Sequence, residues 1–300
     1  MSHKEVFETL CLLTPYDIPN RRKIRVGSSN DGGYIMLDCF TPGQKVFSYG
    51  LSWNIAYELD FAKRGQTVFM FDHTIDALSV DHPNFRWAKE GIAANAVPEL
   101  LLSTLADHVA RYAPDGRDMI LKLDVEGAEW ETLAAMPDDL LGHFEQIVIE
   151  LHDLHLLADA PWRKRAKDAL AKLADQFTLH HAHANNHAPL IVVDNAFTVA
   201  SVLEVSYVRT ASVERRKTST LFPTYLDAPN DPNRPDAPLW LFFSISSHAR
   251  GRNHRIFRRS YPFHRPGTRH RAARRISILM QQCHERDKSW SPPRTQFYIC

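Results

Sequence analysis

Between residues 45 and 210, short apolar runs alternate with stretches of helical period, and this alternation limits the possible folds more than any other feature of the sequence. Seven runs read as strands: 45–50, 66–72, 84–93, 118–124, 145–153, 178–184 and 201–210. Apolar residues spaced three and four apart predict helices over 54–65, 97–113 and 161–177, with another starting near Ala128. Strands joined through helices pair in parallel, because the crossover returns each strand in the direction of the last. The strands are apolar almost throughout, as strands covered on both faces must be. The expected fold is therefore α/β: a doubly wound, mostly parallel, seven-stranded sheet of Rossmann-like type. Ahead of it, Lys23–Val26 and Tyr34–Leu37 flank Asn30-Asp31-Gly32-Gly33, a pairing that predicts an N-terminal hairpin.

In an open parallel sheet, ligands bind beyond the carboxyl ends of the strands. The residues found there are Tyr49, Gly50, Asp72, Asp124, Glu126, Glu150, His152, His181 and His183. Most of them are polar, although burying an unpaired charge costs several kcal/mol (roughly 2–7 for a neutral polar group alone). Their position at strand ends resolves the conflict, since it puts them on the rim of a cleft. Gly50 lets a ligand approach the backbone, and the helix after it offers free N–H groups to an anion. Asp72 follows Gly50 by 22 residues, close to the spacing at which an acid meets the ribose hydroxyls of a nucleoside. No G-x-G-x-x-G is present.

Asp124-Val125-Glu126-Gly127 sets two carboxylates on one side of an extended chain, with a glycine to turn into the next helix. Such a pair can divide labour between a base and a ligand for a cation or hydroxyl. The bland alternative is that Asp124 caps that helix. The segment 179–188 holds four histidines and two asparagines. His181, His183 and Asn185 are candidate substrate contacts. A divalent metal shared with Glu150 or His152 is the alternative, as are histidines satisfied locally.

The run "LKLDVEGAEWETL" (121–133) resembles the most recognisable motif of the FkbM-type methyltransferases, which use S-adenosylmethionine. "RVGSSNDGGYIMLD" (25–38), "FSYGLSWNIAYELDFAKRGQTVFMFD" (47–72), "HHAHANNHA" and "VLEVSYVRT" are similar to other segments of that family in order and spacing. The resemblance spans about residues 20–240. It implies a class I methyltransferase fold and transfer of a methyl group, most often to a hydroxyl of a sugar, glycan or secondary metabolite. Carried onto this chain, Tyr49, Gly50, Asp72 and Asp124 would contact the cofactor, with Gly50 against its methionine part and Asp72 on the ribose. Asp124, Glu126 and His152 would be the candidate catalytic residues, His152 having the ordinary pKa nearest neutrality. The chain departs from many methyltransferases in carrying one glycine after the first strand, where they carry two or three.

Charge divides the chain in two. From residue 241 onward there are 13 Lys and Arg against Glu285 and Asp287, a net of +11, which leaves −10 for residues 1–240. Expected domains are an N-terminal cap with the hairpin (1–44), a cofactor-binding methyltransferase domain (45–222), a proline-rich extended arm (223–240) and a basic, disordered tail (241–300). The tail offers a nucleic-acid arm as a further reading, against a solvated tail without a partner or a stretch never selected as protein. A Rossmann-type NAD(P)-dependent oxidoreductase would use Gly50 and Asp72 equally well. Cys11, Cys39, Cys283 and Cys300 form no C-x-x-C pair, so neither a zinc site nor a disulfide framework is expected. No leader and no membrane span is read in the sequence. The expected setting is cytoplasmic.

Overall fold

The structure is a computed structural model and describes residues 3–239. Helix α1 (His3–Cys11) leads into the hairpin of β1 (Lys23–Gly27) and β2 (Gly33–Leu37). The alternating region follows: β3 (Lys45–Tyr49), α2 (Ala56–Lys63), β4 (Thr67–Phe71), β5 (Phe85–Ala88), α3 (Leu105–Tyr112) and β6 (Met119–Leu123). After these come α4 (Glu129–Ala135), β7 (Phe144–Leu151), α5 (Ala160–Gln176) and β8 (Phe177–Ala184). A small hairpin, β9 (Leu190–Val193) with β10 (Phe197–Ala200), precedes β11 (Leu203–Arg209).

Seven of these strands form one sheet in the order β8-β11-β7-β6-β3-β4-β5. β3 pairs in parallel with both β4 and β6, and β7 pairs in parallel with β6. β11 runs antiparallel between β7 and β8. This order, with one antiparallel strand beside the edge, is that of the class I methyltransferase fold, as expected. Successive side chains alternate between the two faces. Val46, Val68 and Ile120 join one apolar cluster, while Phe47, Phe69 and Leu121 join the other. Both faces are covered, which is why these strands read as continuous apolar runs.

The strand order reverses between β3 and β6. Crossovers from β3 lead outward through β4 and β5 on one side, while β6 and β7 continue on the other. The loops after β3 and β6 therefore diverge and leave a crevice at the carboxyl end of the sheet.

Two predicted elements differ. The helix expected over 97–113 starts only at Leu105, where Thr104 and Asp107 form a reciprocal capping box. Upstream, Leu101 is left-handed (φ 57°) and Leu102–Ser103 pairs with Gly91–Ile92, so the chain there is extended. That same pairing divides the strand expected over 84–93. Helix α1 and the β9–β10 hairpin were not anticipated, being short and weakly patterned. The arm closes on itself through Leu239 N–H donating to the Phe222 carbonyl (3.0 Å). Cap, sheet and arm belong to one compact unit. The expectations for 241–300 lie outside the described residues.

Candidate active site

At the switch point the ends of β3 and β6 touch. Asp124 N–H donates to the Tyr49 carbonyl (3.2 Å), and Gly50 N–H donates to that of Phe71 (3.3 Å). Gly50 has φ +75°, and a Cβ there would lie 1.5 Å from the Asp124 carbonyl oxygen. A glycine is thus demanded at this position by the neighbouring strand end. Lys122, buried inside an apolar strand, donates from Nζ to the Gly50 carbonyl (2.7 Å) and stands 3.4 Å from Asp124 Oδ2. Burial pulls the lysine's pKa down, but the Asp124 and Glu58 carboxylates outweigh it and hold the pKa above its ordinary value. Tyr34, from β2, donates its hydroxyl to the same Asp124 oxygen (3.1 Å). Burial, reinforced by Asp124, pushes that phenol far up, so Tyr34 stays a donor.

The crevice is a cleft of about 540 Å³, lined among others by Gly50, Asp72, Gly91, Asp124, Glu150 and Asn185. Asp72 directly follows β4 and is 7 % exposed. Its Oδ2 accepts from Leu51 N–H (2.8 Å), and its Oδ1 accepts from Thr74 N–H (2.7 Å) and Thr74 Oγ1 (2.6 Å). A carboxylate has about four acceptor positions, so Asp72 is fixed in place with capacity left for a ligand hydroxyl. Tyr49 borders the cleft too, but its ring lies in the core, stacked on Phe71, and its hydroxyl meets His108 Nδ1 (3.0 Å). Its hydroxyl is thus engaged in the core.

Glu126 takes a left-handed conformation (φ 53°), followed by Gly127 (φ 106°). This turn places Asp124 and Glu126 apart from the start of α4, whose first residues have no side-chain cap, so Asp124 is not a helix cap. The third acid of the run, Glu129, is fully buried. Its Oε2 accepts from Gly127 N–H (2.9 Å), and its Oε1 accepts from His152 N–H (2.6 Å) and faces His152 Nδ1 at 3.2 Å. His152 Nδ1 is also 3.1 Å from the Glu150 carbonyl, and Nε2 is 3.3 Å from Glu126 Oε2. Burial lowers the pKa of His152, but its acidic neighbours, the hydrogen-bonded Glu129 carboxylate first, raise it to about 10. At neutral pH His152 is a clamped cation. The expectation that its pKa suits a neutral base is corrected by Glu129, which the sequence reading passed over.

Glu150 lines the cleft at 6 % exposure, and Asn185 Nδ2 donates to its Oε1 (2.6 Å). Asn185 lines the cleft as well. His181 and His183 are not among the lining residues. His181 Nε2 meets Asp227 (2.8 Å), and His183 is held between Glu204 (2.9 Å) and Asp236 (3.0 Å). The expectation that these two histidines touch substrate is corrected: they bind the arm. Asp124, Glu150 and His152 bring one potential ligand atom each within 4.8 Å of one another. Both nitrogens of His152 are already engaged, so that grouping does not offer a metal a free imidazole.

No protein-family model matches the chain. No curated protein matches it either. Among solved structures, it is similar to the fibrillarin/Nop5p complex at 10 % identity, covering 57 % of this chain and 74 % of that one, with a TM-score of 0.36. A SAM-dependent methyltransferase from Agrobacterium tumefaciens follows at 12 % identity, 56 % of each chain and a TM-score of 0.34. A chain described as a hemolysin, from Streptococcus thermophilus, shares 11 % identity over 73 % of this chain and 78 % of its own, with a TM-score of 0.35. At these TM-scores the likenesses carry no weight, and the fold rests on the strand order itself.

Proposed function

We propose that the protein is an S-adenosylmethionine-dependent O-methyltransferase whose acceptor is a hydroxyl on a sugar, glycan or secondary metabolite. The observation that supports this most is convergence: Gly50, Asp72 and Asp124, from three different strand ends, border one cleft at the switch point. The resemblance of residues 121–133 to the FkbM-type motif supports the same reading.

The residues present fit such a cofactor. Asp72 is rigidly held and retains an acceptor position for ribose. Gly91, another lining residue, sits so close to His73 that a Cβ would lie 2.4 Å from its Nδ1, so no side chain fits there. The cofactor, when bound, supplies an activated methyl group on a sulfonium with a good leaving group.

The chain must then orient the acceptor and remove its proton. Asp124 is suited to that task. Lys122 and Tyr34 both address its Oδ2, which fixes the carboxylate plane. Oδ1 has no hydrogen bond among the described residues and can accept the hydroxyl proton as the oxygen acquires the methyl group. His152, a cation behind the site, offsets the carboxylates without competing for that proton. At the mouth, Trp53 is 85 % exposed between the lining residues Ser52 and Asn54. A flat indole with hydroxyl and amide neighbours suits a ring bearing hydroxyls.

Calorimetric titration of the full chain with S-adenosylhomocysteine tests the proposal, with NADH as the comparison ligand. Micromolar binding of the former alone is expected. Binding of NADH alone, or of neither, overturns it.

A further inference from the structure

The cleft and the strands beneath it hold six carboxyls at low or intermediate exposure, Glu58, Asp72, Asp124, Glu129, Glu150 and Glu204; Asp72 is met by three donors and Glu58 by the Ser48 hydroxyl. Three of the others have a cation. Lys122 is 3.4 Å from Asp124. His152 is 3.2 Å from Glu129. His183 is 2.9 Å from Glu204. Glu150 has none. Its one hydrogen bond among the described residues comes from the neutral amide of Asn185, on Oε1. Its neighbours make ionisation harder still. It sits directly across the strand pair from Glu204, where like charges repel. Asp124 lies within 4.8 Å of it. The titratable groups that face it are Asp124, Glu204, His152, Lys122 and Tyr34. Of the two cations among these, Lys122 is committed to Asp124 and the Gly50 carbonyl, and His152 to Glu129, Glu126 and a carbonyl.

We infer that Glu150 is held as a neutral carboxylic acid, presenting a hydrogen-bond donor on the cleft floor rather than a base or a metal ligand. Oε1 is the oxygen that accepts from Asn185, which leaves Oε2 to carry the proton. The neutral form explains how a carboxyl at 6 % exposure survives without a counter-charge. Burial first, and then Asp124 and Glu204, push its pKa well above the ordinary carboxylate value. The donor deepens the proposed function and rests on it in one respect, the identity of the oxygen it meets: an acceptor with a second oxygen beside the reacting hydroxyl would receive one hydrogen bond from Glu150 while Asp124 accepts from the other. The protonation itself is independent of that reading.

The test is infrared spectroscopy of the full chain at neutral pH, comparing wild type with Glu150→Gln and Glu204→Gln. A carbonyl stretch of a protonated carboxyl, shifted in D2O, is expected in wild type and in Glu204→Gln and lost in Glu150→Gln. Absence of that band from wild type, or its survival in Glu150→Gln, overturns the inference. Gln is isosteric with the neutral acid, so the variant is expected to fold. If it does not, the pH titration of the wild-type band decides: persistence at neutral pH supports the inference, and loss at the pH of an ordinary carboxylate overturns it. Manganese alone provides a second arm. Binding of the ion in wild type that disappears in Glu150→Gln would make Glu150 a ligand and end the proposal; no such binding is expected. None of these readings depends on binding of S-adenosylhomocysteine, so failure here and failure of the methyltransferase proposal are distinguishable.

Discussion

Glu129 Oε1 holds His152 at two points, 2.6 Å from its backbone nitrogen and 3.2 Å from its Nδ1. One fully buried carboxylate thereby fixes both the chain path at the end of β7 and the imidazole beside the cleft. Glu129→Gln keeps the shape and removes the charge. Breaking a buried pair costs about 3–5 kcal/mol, and a loss of that order is expected in urea unfolding at neutral pH. The sign of its pH dependence follows from a folded pKa raised to about 10. The stabilisation is fully present below the unfolded histidine value of about 6.5 and is lost as pH rises through about 10. The gap between wild type and variant should therefore narrow on raising the pH through that window.

Gly50→Ala is expected to be the most disruptive small substitution in the cleft. The new methyl would meet the Asp124 carbonyl at 1.5 Å, in a backbone conformation (φ +75°) that L residues rarely adopt. Strained φ/ψ alone costs about 1–3 kcal/mol, and the clash adds to it by forcing β3 and β6 apart. A lowered urea midpoint together with loss of nucleoside binding is the expected result. An unchanged midpoint would show that the strand ends separate freely.

Asp72→Asn should weaken S-adenosylhomocysteine more than it weakens the fold. The amide can still accept from Thr74 or Leu51 through one oxygen, but it no longer offers a charged acceptor to ribose. A hydrogen bond to a charged group is worth about 1.5–3 kcal/mol, which corresponds to roughly 10- to 150-fold in Kd. Calorimetry reads this directly, and an unchanged Kd would remove Asp72 from the cofactor site.

Asp227→Asn probes the seam between arm and sheet. His181 is held below its ordinary pKa by burial, so it meets Asp227 as a neutral donor and not as a cation. Burial alone would raise Asp227, yet the hydrogen bonds from His181 and from Thr224 N–H and Oγ1 bring it down to about 2. A depressed carboxylate pKa stabilises the fold above the unfolded value of about 3.9, and that contribution disappears as pH falls through about 2. Thermal unfolding should show the variant less stable at neutral pH and indistinguishable from wild type near the low end of that range.

The sheet was legible because most of its strands are apolar runs of ordinary length bounded by polar residues, and period and length survive without tertiary context. Asp72 and Asp124 were legible for the same reason, since the residue that follows a strand can be counted. Glu129 was not. In sequence it is one of several acids at the start of a helix, and only folding shows that it is buried under His152. Lys122 did carry a signal, a lone charge within the apolar run "MILKL" (119–123), where a buried lysine must find a carboxylate. The histidines of β8 misled because the segment that satisfies them lies more than forty residues onward, in an arm that periodicity does not describe. A helix over 97–113 failed at Thr104: the residue that caps α3 also ends whatever precedes it.

Asn230 joins the two ends of the described chain, since its Nδ2 is 3.0 Å from Asp31 on the N-terminal hairpin and 2.6 Å from Glu204 in β11. Asp31 borders the cleft. The lip of the pocket is thus assembled from an early segment and a very late one. During synthesis the sheet can form while that lip is still missing, because contacts between distant segments must wait for the second to emerge. A ribosome-tethered intermediate that has not yet released the arm would carry the cleft between the strand ends with its lip still open, and selectivity at the proposed cofactor site would follow only once the arm had docked.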